Sequence, residues 1–576
     1  MIWPMYSAGL ETYMRVARTF CAVAAISLLM IDALGLAQVA PSNAAGDDLA
    51  RGKQWWAHVQ YLASDSMRGR LTGSEEYLKA AAYVVEQFKA DGLQPAGVDG
   101  GWYQPVQFDV QRVVAKRSSM TLVSGCKTCR FYNETPLVLG QDAILGARMA
   151  EPKSVDAPLV FIGYGLHLPE AKYDDFDSAE VPAASLKGKI VVYVNGGPAD
   201  LPGPLKSFAR TAPFIKALRD AGAVGAISIP TPKSMDFGWQ RVASSAGQPG
   251  MRLAGSSDAV AARHPALADD HGTIFAATFN PAEAEKLFAG TGHTFAELLA
   301  LADAQKPLPR FALNKSLTAT VATENTRVTS PNIVAKLEGS DPKLKAEYVL
   351  VSAHLDHLGV GAEINRKTIY AGAMDDASGV ATVLEVAREF SAAKRRPKRS
   401  ILFVIFTAEE KGLLGSRYFA GHPTVPEEAI RADFNLDMFM PIFALKKLHV
   451  QGLEQSTLAE QARAVGVEHH IEIAPDPEPD RNSFIRTDQY SFVQAGVPAM
   501  AFKFGWTMGS PEYKAWRAWL AQRYHSTDDD LTQPVDLAAA AQFNGFLADL
   551  ARRVADDPSA PHYLDSSFFK RFEVSR

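Results

Sequence analysis

The feature that most constrains the fold is an apolar run over residues 401–406, separated by only two residues from the adjacent acids Glu409 and Glu410. Six consecutive apolar residues predict a strand buried on both faces, as in a parallel sheet. The two acids then lie just beyond the carboxyl end of that strand, where open α/β sheets bind ligands. An acidic pair alone is a weak signal, because most acidic side chains lie on solvated surfaces. The rest of the chain decides between a site and a solvated pair.

The length and composition of the chain indicate a globular protein with more than one domain. Its 576 residues are too many for one hydrophobic core and predict two or three domains. The hydrophobic content of 47% and charged content of 21% are ordinary. The formal net charge of -5 lacks the basic footprint of a nucleic-acid-binding protein. We therefore expect a neutral or mixed substrate and no nucleic-acid partner, and no pattern indicates a particular oligomeric state.

The N-terminal region carries a targeting pattern. Arg15 and Arg18 precede an apolar run over residues 20–30, and a small-x-small pattern follows at residues 35–37. This order predicts a signal peptide over residues 1–37, with Met14 as an alternative start, and therefore an exported protein, periplasmic or secreted. The apolar run is short for a membrane span, so we expect no stable span after cleavage. The alternative is an uncleaved membrane anchor.

Only two cysteines, Cys126 and Cys129, follow the predicted signal peptide. In an exported protein this pair favours a local disulfide at a hairpin turn, between the strand-like residues 120–123 and 130–132. A redox motif would place the pair at the start of a helix in a thioredoxin-like unit, and the sequence predicts no such unit. A zinc ribbon would need a second cysteine pair.

Hydrophobic periodicity divides the remaining chain into segments of different character. Apolar residues recur at helical spacing over residues 77–88, which predicts a helix there. From about residue 107 to 323, short strand-like runs are separated by turns, with a helix predicted over residues 208–221. From residue 332 to about 552, strands alternate with helices, which predicts a mainly parallel sheet covered by helices. The predicted strands there are residues 348–353, 400–406, 432–436 and 499–504, and the predicted helices are residues 379–392 and 534–554.

Histidines and carboxylates follow these predicted strands and precede one helix. They are His354, Asp356, Asp375, Asp376, Glu409, Glu410, Asp437 and, far downstream, His525. Imidazole and carboxylate ligands together suit zinc. Their number exceeds what one tetrahedral ion can use, and two ions about 3.5 to 4 Å apart can share a hydroxide, which predicts metal-assisted hydrolysis. Taken singly, each has a structural alternative: Asp375 and Asp376 could cap the next helix, and His525 could lie in a solvated turn.

The series resembles the co-catalytic zinc aminopeptidase family, which also includes glutamate carboxypeptidases. Five motifs match in order across residues 348–529: His354-x-Asp356, Asp375-Asp376-Ala377-Ser378-Gly379, Glu409-Glu410, Asp437 and His525. Residues 62–95 also resemble the start of those peptidases, and residues 140–310 resemble, more weakly, the protease-associated domain often inserted in them.

The resemblance implies the zinc-dependent exopeptidase fold, an α/β fold with a mainly parallel central sheet flanked by helices. It also implies an inserted β-rich protease-associated domain. On this basis we expect the N-terminal part of the peptidase domain over residues 38–130, the inserted domain over residues 131–320 and the main part of the peptidase domain over residues 321–576.

The resemblance also implies a set of ligands for two zinc ions. Asp375 would bridge both ions. His354 and Asp437 would complete one site, and Glu410 and His525 would complete the other.

Two further residues receive catalytic roles from the resemblance. Asp356 would orient the imidazole of His354 from behind. Glu409 would bind no metal and would act as the general base, taking a proton from the metal-bound water as that water attacks the scissile carbonyl and then returning it to the departing amine.

The predicted function is removal of N-terminal residues from a peptide substrate. Asp488 and Tyr490 resemble a family stretch that lines the substrate cleft, although a histidine is common where Gln489 stands. One alternative is a carboxypeptidase of the same fold, in which Arg481 and Arg486 could hold the terminal carboxylate. Another is an inert binding or scaffold protein.

Overall fold

The computed structural model describes residues 44–125, 132–147, 153–255, 258–267, 274–481 and 483–573. The predicted signal peptide and the cysteine pair lie outside these residues, and both stay predictions. The strands Ser119–Gly125 and Tyr132–Leu137 on either side of the cysteines pair as an antiparallel hairpin. Among the helices of the described residues, none combines the length and apolar character that crossing a membrane requires.

The strands are β1 (Gln94–Pro95), β2 (Tyr103–Val113), β3 (Ser119–Gly125), β4 (Tyr132–Leu137), β5 (Ala143–Leu145), β6 (Ser154–Phe161), β7 (His167–Leu168), β8 (Tyr173–Asp174), β9 (Ile190–Val194), β10 (Gly225–Ile229), β11 (Gly250–Leu253), β12 (Phe275–Phe279), β13 (Phe311–Thr320), β14 (Thr323–Leu337), β15 (Tyr348–His354), β16 (Gly359–Ile364), β17 (Lys367–Tyr370), β18 (Ser400–Phe406), β19 (Ile430–Asn435), β20 (Lys447–Gln451), β21 (Glu472–Pro475) and β22 (Ala499–Phe504). The helices are α1 (Ala44–Leu62), α2 (Glu75–Ala90), α3 (Gly203–Ala209), α4 (Ala212–Asp220), α5 (Trp239–Ser245), α6 (Asp258–Arg263), α7 (Glu285–Phe288), α8 (Phe295–Asp303), α9 (Ser378–Ala392), α10 (Leu414–Gly421), α11 (Leu458–Glu468), α12 (Gln489–Gln494), α13 (Pro511–Gln522) and α14 (Leu537–Asp556).

The larger sheet has the strand order β11-β2-β14-β18-β15-β19-β22-β20-β21, and β1 pairs with β14. Its four central strands, β18, β15, β19 and β22, run parallel, whereas β14 and β20 join on either side in antiparallel fashion. Strand β18 is buried at every position, which confirms the strand predicted from the apolar run. The fold is therefore α/β with a parallel centre, as the sequence predicts.

The order of the central strands creates a crevice at one edge of this sheet. The chain passes from β15 to β18 on one side and then crosses to β19 on the other side. Such a reversal separates the connecting segments, so that a crevice opens beyond the carboxyl ends of the strands. His354 is level with Phe406, and Ser352 is level with Asn435, so the three strands end close together.

Helices cover this sheet and complete its core. The predicted helices over residues 77–88, 379–392 and 534–554 are confirmed as α2, α9 and α14. Helix α9 is buried along most of its length, and α1 packs against both α9 and α14. The apolar faces of these helices and one face of the sheet form the largest hydrophobic core of the described residues.

A second sheet lies between residues 119 and 320, with the order β4-β3-β13-β6-β9-β10-β12-β5 and its own core. Strand β11, from the same stretch of sequence, pairs instead with β2 of the larger sheet. The single helix predicted over residues 208–221 is wrong, because the chain forms α3 and then α4. Pro213 has no N–H to donate and is tolerated only in the first turn of a helix, so a new helix starts there. The assignment to a protease-associated domain and the domain boundaries stay predictions.

Candidate active site

The predicted site residues meet at the carboxyl edge of the parallel strands. His354 is the last residue of β15, and Asp437 follows β19 by two residues. Glu409 and Glu410 follow β18 after a turn in which Ala408 has a φ of 56°. The structure therefore brings side chains from three strands to the crevice created by the strand order.

Asp375 and His525 reach this edge from two loops that are joined by a buried carboxylate. Asp529 accepts hydrogen bonds from the N–H of Met374 at 2.9 Å and from the N–H of Asp375 at 3.1 Å. Asp529 lies four residues after His525, so the bonds tie the loop before α9 to the loop after α13. Burial raises the pKa of Asp529 to about 7. The only sign of this role in the sequence was the position of Asp529 among three acids after His525.

Two compact groups of potential ligand atoms share Asp375. One contains His354, Asp375 and Asp437, and the other contains His357, Asp375 and Glu410, with the ligand atoms of each group within 4.8 Å of one another. The ring Nε2 of His525 lies 3.3 Å from Asp375 Oδ2 and 3.3 Å from Glu410 Oε2. The five predicted ligands therefore come together, and the unpredicted His357 joins them.

The spacing of these atoms fits zinc ligands. Atoms bound about 2.0 to 2.1 Å from one tetrahedral zinc ion lie about 3.3 Å from each other. His354 Nε2 lies 3.3 Å from Asp375 Oδ1, the same separation that His525 Nε2 has from its two carboxylates. His354 Nε2 is buried and has no hydrogen-bond partner among the described residues. A nitrogen so close to a carboxylate without a hydrogen bond is the arrangement expected of two ligands that share an ion.

The charge of the site also fits a cation. The carboxylates of Asp375, Glu409, Glu410 and Asp437 lie together at the same edge of the sheet and are largely buried. Buried acids in such numbers repel one another unless a cation or a proton compensates them. The neighbouring histidines, His357 first, hold the pKa of Asp375 well below its usual range although burial opposes this. The donor set therefore fits divalent ions.

Glu409 lines the cavity at this edge of the sheet and stays outside both ligand groups. Its Oε2 lies 4.0 Å from His354 Nε2, and its backbone N–H donates to Asp356 Oδ1 at 3.0 Å. Burial raises the pKa of the Glu409 carboxyl well above its ordinary value; His354 opposes this rise, and the nearby carboxylates, Asp437 first, add to it. A carboxyl group with a raised pKa is suited to accept and release a proton near neutral pH.

Asp356 supports the site differently from the sequence expectation. His354 Nδ1 lies 3.0 Å from the backbone carbonyl oxygen of Asp356 but 3.9 Å from its carboxylate. The carboxylate instead accepts hydrogen bonds from Thr72 Oγ1 at 2.9 Å and from the Glu409 N–H. Asp356 therefore orients His354 through its backbone and positions Glu409 through its side chain.

Asp376 is a second positioning residue. Its buried carboxylate accepts hydrogen bonds from the N–H groups of Gly379 at 3.0 Å, Met438 at 3.3 Å and His354 at 3.4 Å. These bonds cap α9, as the sequence alternative suggests, and also join the ends of β15 and β19. The capping pattern was visible in the sequence, but the two partners on other strands were not.

Arg70 is a support that the sequence interpretation missed. Its guanidinium group donates to the carbonyl oxygens of Leu355, Ala371 and Gly372 at 2.8, 2.8 and 3.0 Å and to that of Leu62 at 2.6 Å. The side chain is fully buried, and burial lowers its pKa to about 10. Arg70 fixes the backbone beneath both ligand groups.

A cavity of about 540 Å³ opens over the site, and both sheets contribute to its wall. Met438 and Tyr490 line it, whereas Asp488 is fully buried outside the lining. Burial raises the pKa of Asp488 to about 7. The second sheet contributes Asp236, whose carboxylate binds Arg481 and lies 3.2 Å from Arg486.

Comparisons with known proteins show what part of the chain is similar to. Residues 332–551 match the sequence profile of Peptidase family M28. Over 218 residues the chain is 29% identical to "Leupeptin-inactivating enzyme 1" of Streptomyces exfoliatus, which covers 36% of this chain and 45% of that protein. Over 216 residues it is 29% identical to "probable leucine aminopeptidase 2" of Aspergillus oryzae, which covers 35% of this chain and 40% of that protein. The chain thus spans less than half the length of these relatives.

Among solved structures, the chain is similar to "Aminopeptidase from Aneurinibacillus sp. strain AM-1", with a TM-score of 0.49 and 21% identity. This likeness covers 89% of this chain and 94% of that one. It is also similar to "The structure of BSAP, a zinc aminopeptidase from Bacillus subtilis", with a TM-score of 0.47, 19% identity and coverage of 87% and 94%.

Proposed function

We propose, because residues 332–551 of this chain match the sequence profile of Peptidase family M28, that the protein is an exported zinc exopeptidase that removes N-terminal residues from peptides. The observation that carries the proposal is the position of Glu409. Its carboxyl group lies in the wall of the cavity, 4.0 Å from a ligand histidine, and belongs to neither ligand group. That is the position required of a general base beside a metal centre.

Two zinc ions at this edge would polarise the scissile carbonyl and activate a water molecule. Asp375 would hold both, with His354 and Asp437 completing one site and Glu410 and His525 completing the other. These residues fit because their donor atoms have the spacing of ligands around a shared ion.

Glu409 moves the proton in the proposed reaction. Its carboxylate accepts a proton as water attacks the scissile carbonyl and then gives the proton to the departing amine. The hydrogen bond from its backbone N–H to Asp356 fixes the turn that carries it.

The arginine contacts favour an aminopeptidase over a carboxypeptidase. A carboxypeptidase needs a guanidinium group that is available to a terminal carboxylate. Arg481 and Arg486, the two candidates, both face the carboxylate of Asp236. That contact already gives them an anionic partner, so a substrate carboxylate would have to displace Asp236.

Paired substrates test the proposal. We expect the zinc-loaded protein to hydrolyse amino-acid anilides and short peptides with free N-termini, and to leave the N-acetylated forms of the same peptides intact. Products identified by mass spectrometry give the end from which residues are lost. Cleavage that survives acetylation would refute the aminopeptidase, and loss of C-terminal residues would establish the carboxypeptidase.

The targeting pattern supports the export part of the proposal. Cleavage after residues 35–37 would leave Gln38 as the first residue of the mature protein. Mass spectrometry of the N-terminal peptide from the exported fraction measures this directly. A full-length chain that stays in the membrane fraction would support the uncleaved anchor instead.

A further inference from the structure

His357 stands among the metal ligands without a role in the proposed site. Its side chain is fully buried, three residues beyond His354. Its Nδ1 lies 2.7 Å from Glu410 Oε1 and 3.8 Å from Asp375 Oδ2. Both carboxylates belong to the ligand set of the second ion, so the ring nitrogen approaches the place where that ion would be held.

The contacts of His357 differ from those of an ordinary buried histidine. Neither of its ring nitrogens has a well-aligned hydrogen-bond partner among the residues that the structure describes. An unpaired polar atom in the interior costs about 1 to 3 kcal/mol, and most buried histidines avoid this cost. His58 is an example, because its Nδ1 contacts Tyr83 Oη at 2.7 Å and its Nε2 lies 3.3 Å from Glu385. His357 instead resembles His354, whose Nε2 is close to Asp375 and equally unbonded.

The surroundings of His357 fix the ring in this position. A Cβ atom on Gly372 would lie 2.6 Å from Cγ of His357, so only glycine allows the ring to pack there. Gly372 has a φ of 62°, which glycine adopts without strain. The N–H of His357 donates to the carbonyl of Arg70 at 3.3 Å, and the Arg70 guanidinium group holds Gly372. The imidazole is therefore held in place before any ion binds.

We propose that His357 is a further ligand of the second zinc ion, binding through Nδ1 together with Asp375, Glu410 and His525. The rings of His357 and His525 are 5.9 Å apart, and each approaches a different oxygen of Glu410. The inference rests on the proposed function and deepens it by adding a fourth protein ligand to one of its two sites.

The extra ligand gives the two zinc sites different functions. Structural zinc sites have four protein ligands, whereas catalytic sites have three and keep one position open for water or substrate. The His354 and Asp437 site keeps three protein ligands and lies beside Glu409. The second site, with four, holds its ion more firmly and anchors Asp375.

A phenylalanine substitution tests the proposal. His357→Phe keeps a planar ring of similar size but removes both nitrogens. We expect it to bind one zinc ion as tightly as the wild type and the other about 10- to 100-fold more weakly, measured by chelator competition with the full chain. His449→Phe is the matched control, because His449 is a buried histidine that lies outside both ligand groups. We expect this control to leave both zinc affinities unchanged.

The zinc-loaded crystal structure of the wild type provides a test that does not depend on how a variant folds. The proposal requires His357 Nδ1 at about 2.0 to 2.1 Å from zinc. Hydrogen bonding of His357 to Glu410 with no contact to zinc would overturn it, and so would unchanged affinities for both ions in a folded His357→Phe variant. A wild-type chain that binds no zinc would instead overturn the proposed function itself.

Discussion

The adjacent acids Glu409 and Glu410 lie in different environments because of the turn that connects β18 to them. Ala408 has a φ of 56°, a conformation that costs a non-glycine residue about 1 to 2 kcal/mol. After this turn both acids line the cavity, but Glu410 lies against His525 and His357, whereas Glu409 lies 4.0 Å from His354. The sequence predicts that both lie at a strand end, but the turn that separates their roles has no local signal.

Replacing Glu409 tests the division between ligand and base. We expect Glu409→Ala to lower kcat by a factor on the order of 10² to 10⁴ while two zinc ions remain bound, because the proton carrier is lost and the ligands are not. Steady-state kinetics and metal analysis of the same preparation measure both effects. Asp375→Ala is the contrasting variant and should release both ions. Equal zinc loss from the two variants would show that Glu409 is a ligand.

His449, on β20, gives a prediction about acid stability away from the site. Burial, followed by the nearby Lys447, lowers the pKa of His449 to about 4 from an ordinary value of 6.5. Its folded pKa is lower than its unfolded pKa, so the unfolded state takes up the proton first as the pH falls below about 6.5. The stability that neutral His449 contributes is therefore present above pH 6.5 and is lost between pH 6.5 and 4.

His449→Phe removes this titrating group. As the pH is lowered from 7 to 4, we expect the free energy of unfolding of the wild type to fall by roughly 2 to 3 kcal/mol more than that of the variant. Urea unfolding at several pH values measures the difference. A difference that does not change with pH would contradict the lowered pKa.

The strands and helices of the larger sheet follow from local sequence patterns, whereas the loops around the site depend on contacts between residues far apart in the chain. Strands β15, β18, β19 and β22 and helix α9 were predictable, because burial on both faces and helical spacing are local properties. The position of the candidate ligands at the strand ends was predictable for the same reason, whereas their roles as ligands were implied by the family resemblance. The loops around them were not predictable, because they depend on partners far along the chain. Arg70 contacts carbonyl groups about 300 residues away, and Asp375 is held by Asp529, 154 residues away.

Arg70 connects α1 to the end of β15 and to the turn before α9, so its loss should affect folding. Arg70→Met would remove the side-chain donor of four buried carbonyl groups, of which Gly372 keeps the N–H of Ala377, and we expect the free energy of unfolding to fall by about 3 kcal/mol or more. Arg68→Met is a close control, because the Arg68 side chain is 56% exposed. Chemical unfolding should show a change below about 0.5 kcal/mol for this control. Equal losses in the two variants would contradict the supporting role of Arg70.

Segments attached to the larger sheet and to the second sheet meet at the cavity. Arg241 on α5 donates to the carbonyl oxygens of Ala521 at 3.0 Å and Tyr524 at 2.9 Å, at the end of α13 and directly before His525. Phe237, from the same segment, packs against His525 with the ring centres 6.0 Å apart. The sequence predicted an inserted segment but gave no sign that it supports a ligand, because the contact joins residues about 280 positions apart.

Arg241→Ala tests whether the second sheet supports the metal centre. Without the guanidinium group the end of α13 loses its donors, and we expect the affinity of the second zinc ion to fall about 10-fold. Arg252→Ala serves as the control, because Arg252 is an exposed residue of β11 whose guanidinium group lies 3.7 Å from Asp109. Chelator competition distinguishes the two variants. Unchanged zinc binding in a folded Arg241→Ala variant would show that His525 is positioned without the second sheet.

The proposed dinuclear centre is tested by adding zinc to chelator-treated protein while following hydrolysis of an amino-acid anilide. We expect no hydrolysis without metal and a rise to a plateau when two zinc ions are bound per chain, because both ligand groups are needed to hold Asp375 and activate water. Full activity with one bound ion would contradict the second site. Activity that survives complete removal of metal, or two bound zinc ions without any hydrolysis of free N-termini, would contradict the proposed zinc aminopeptidase.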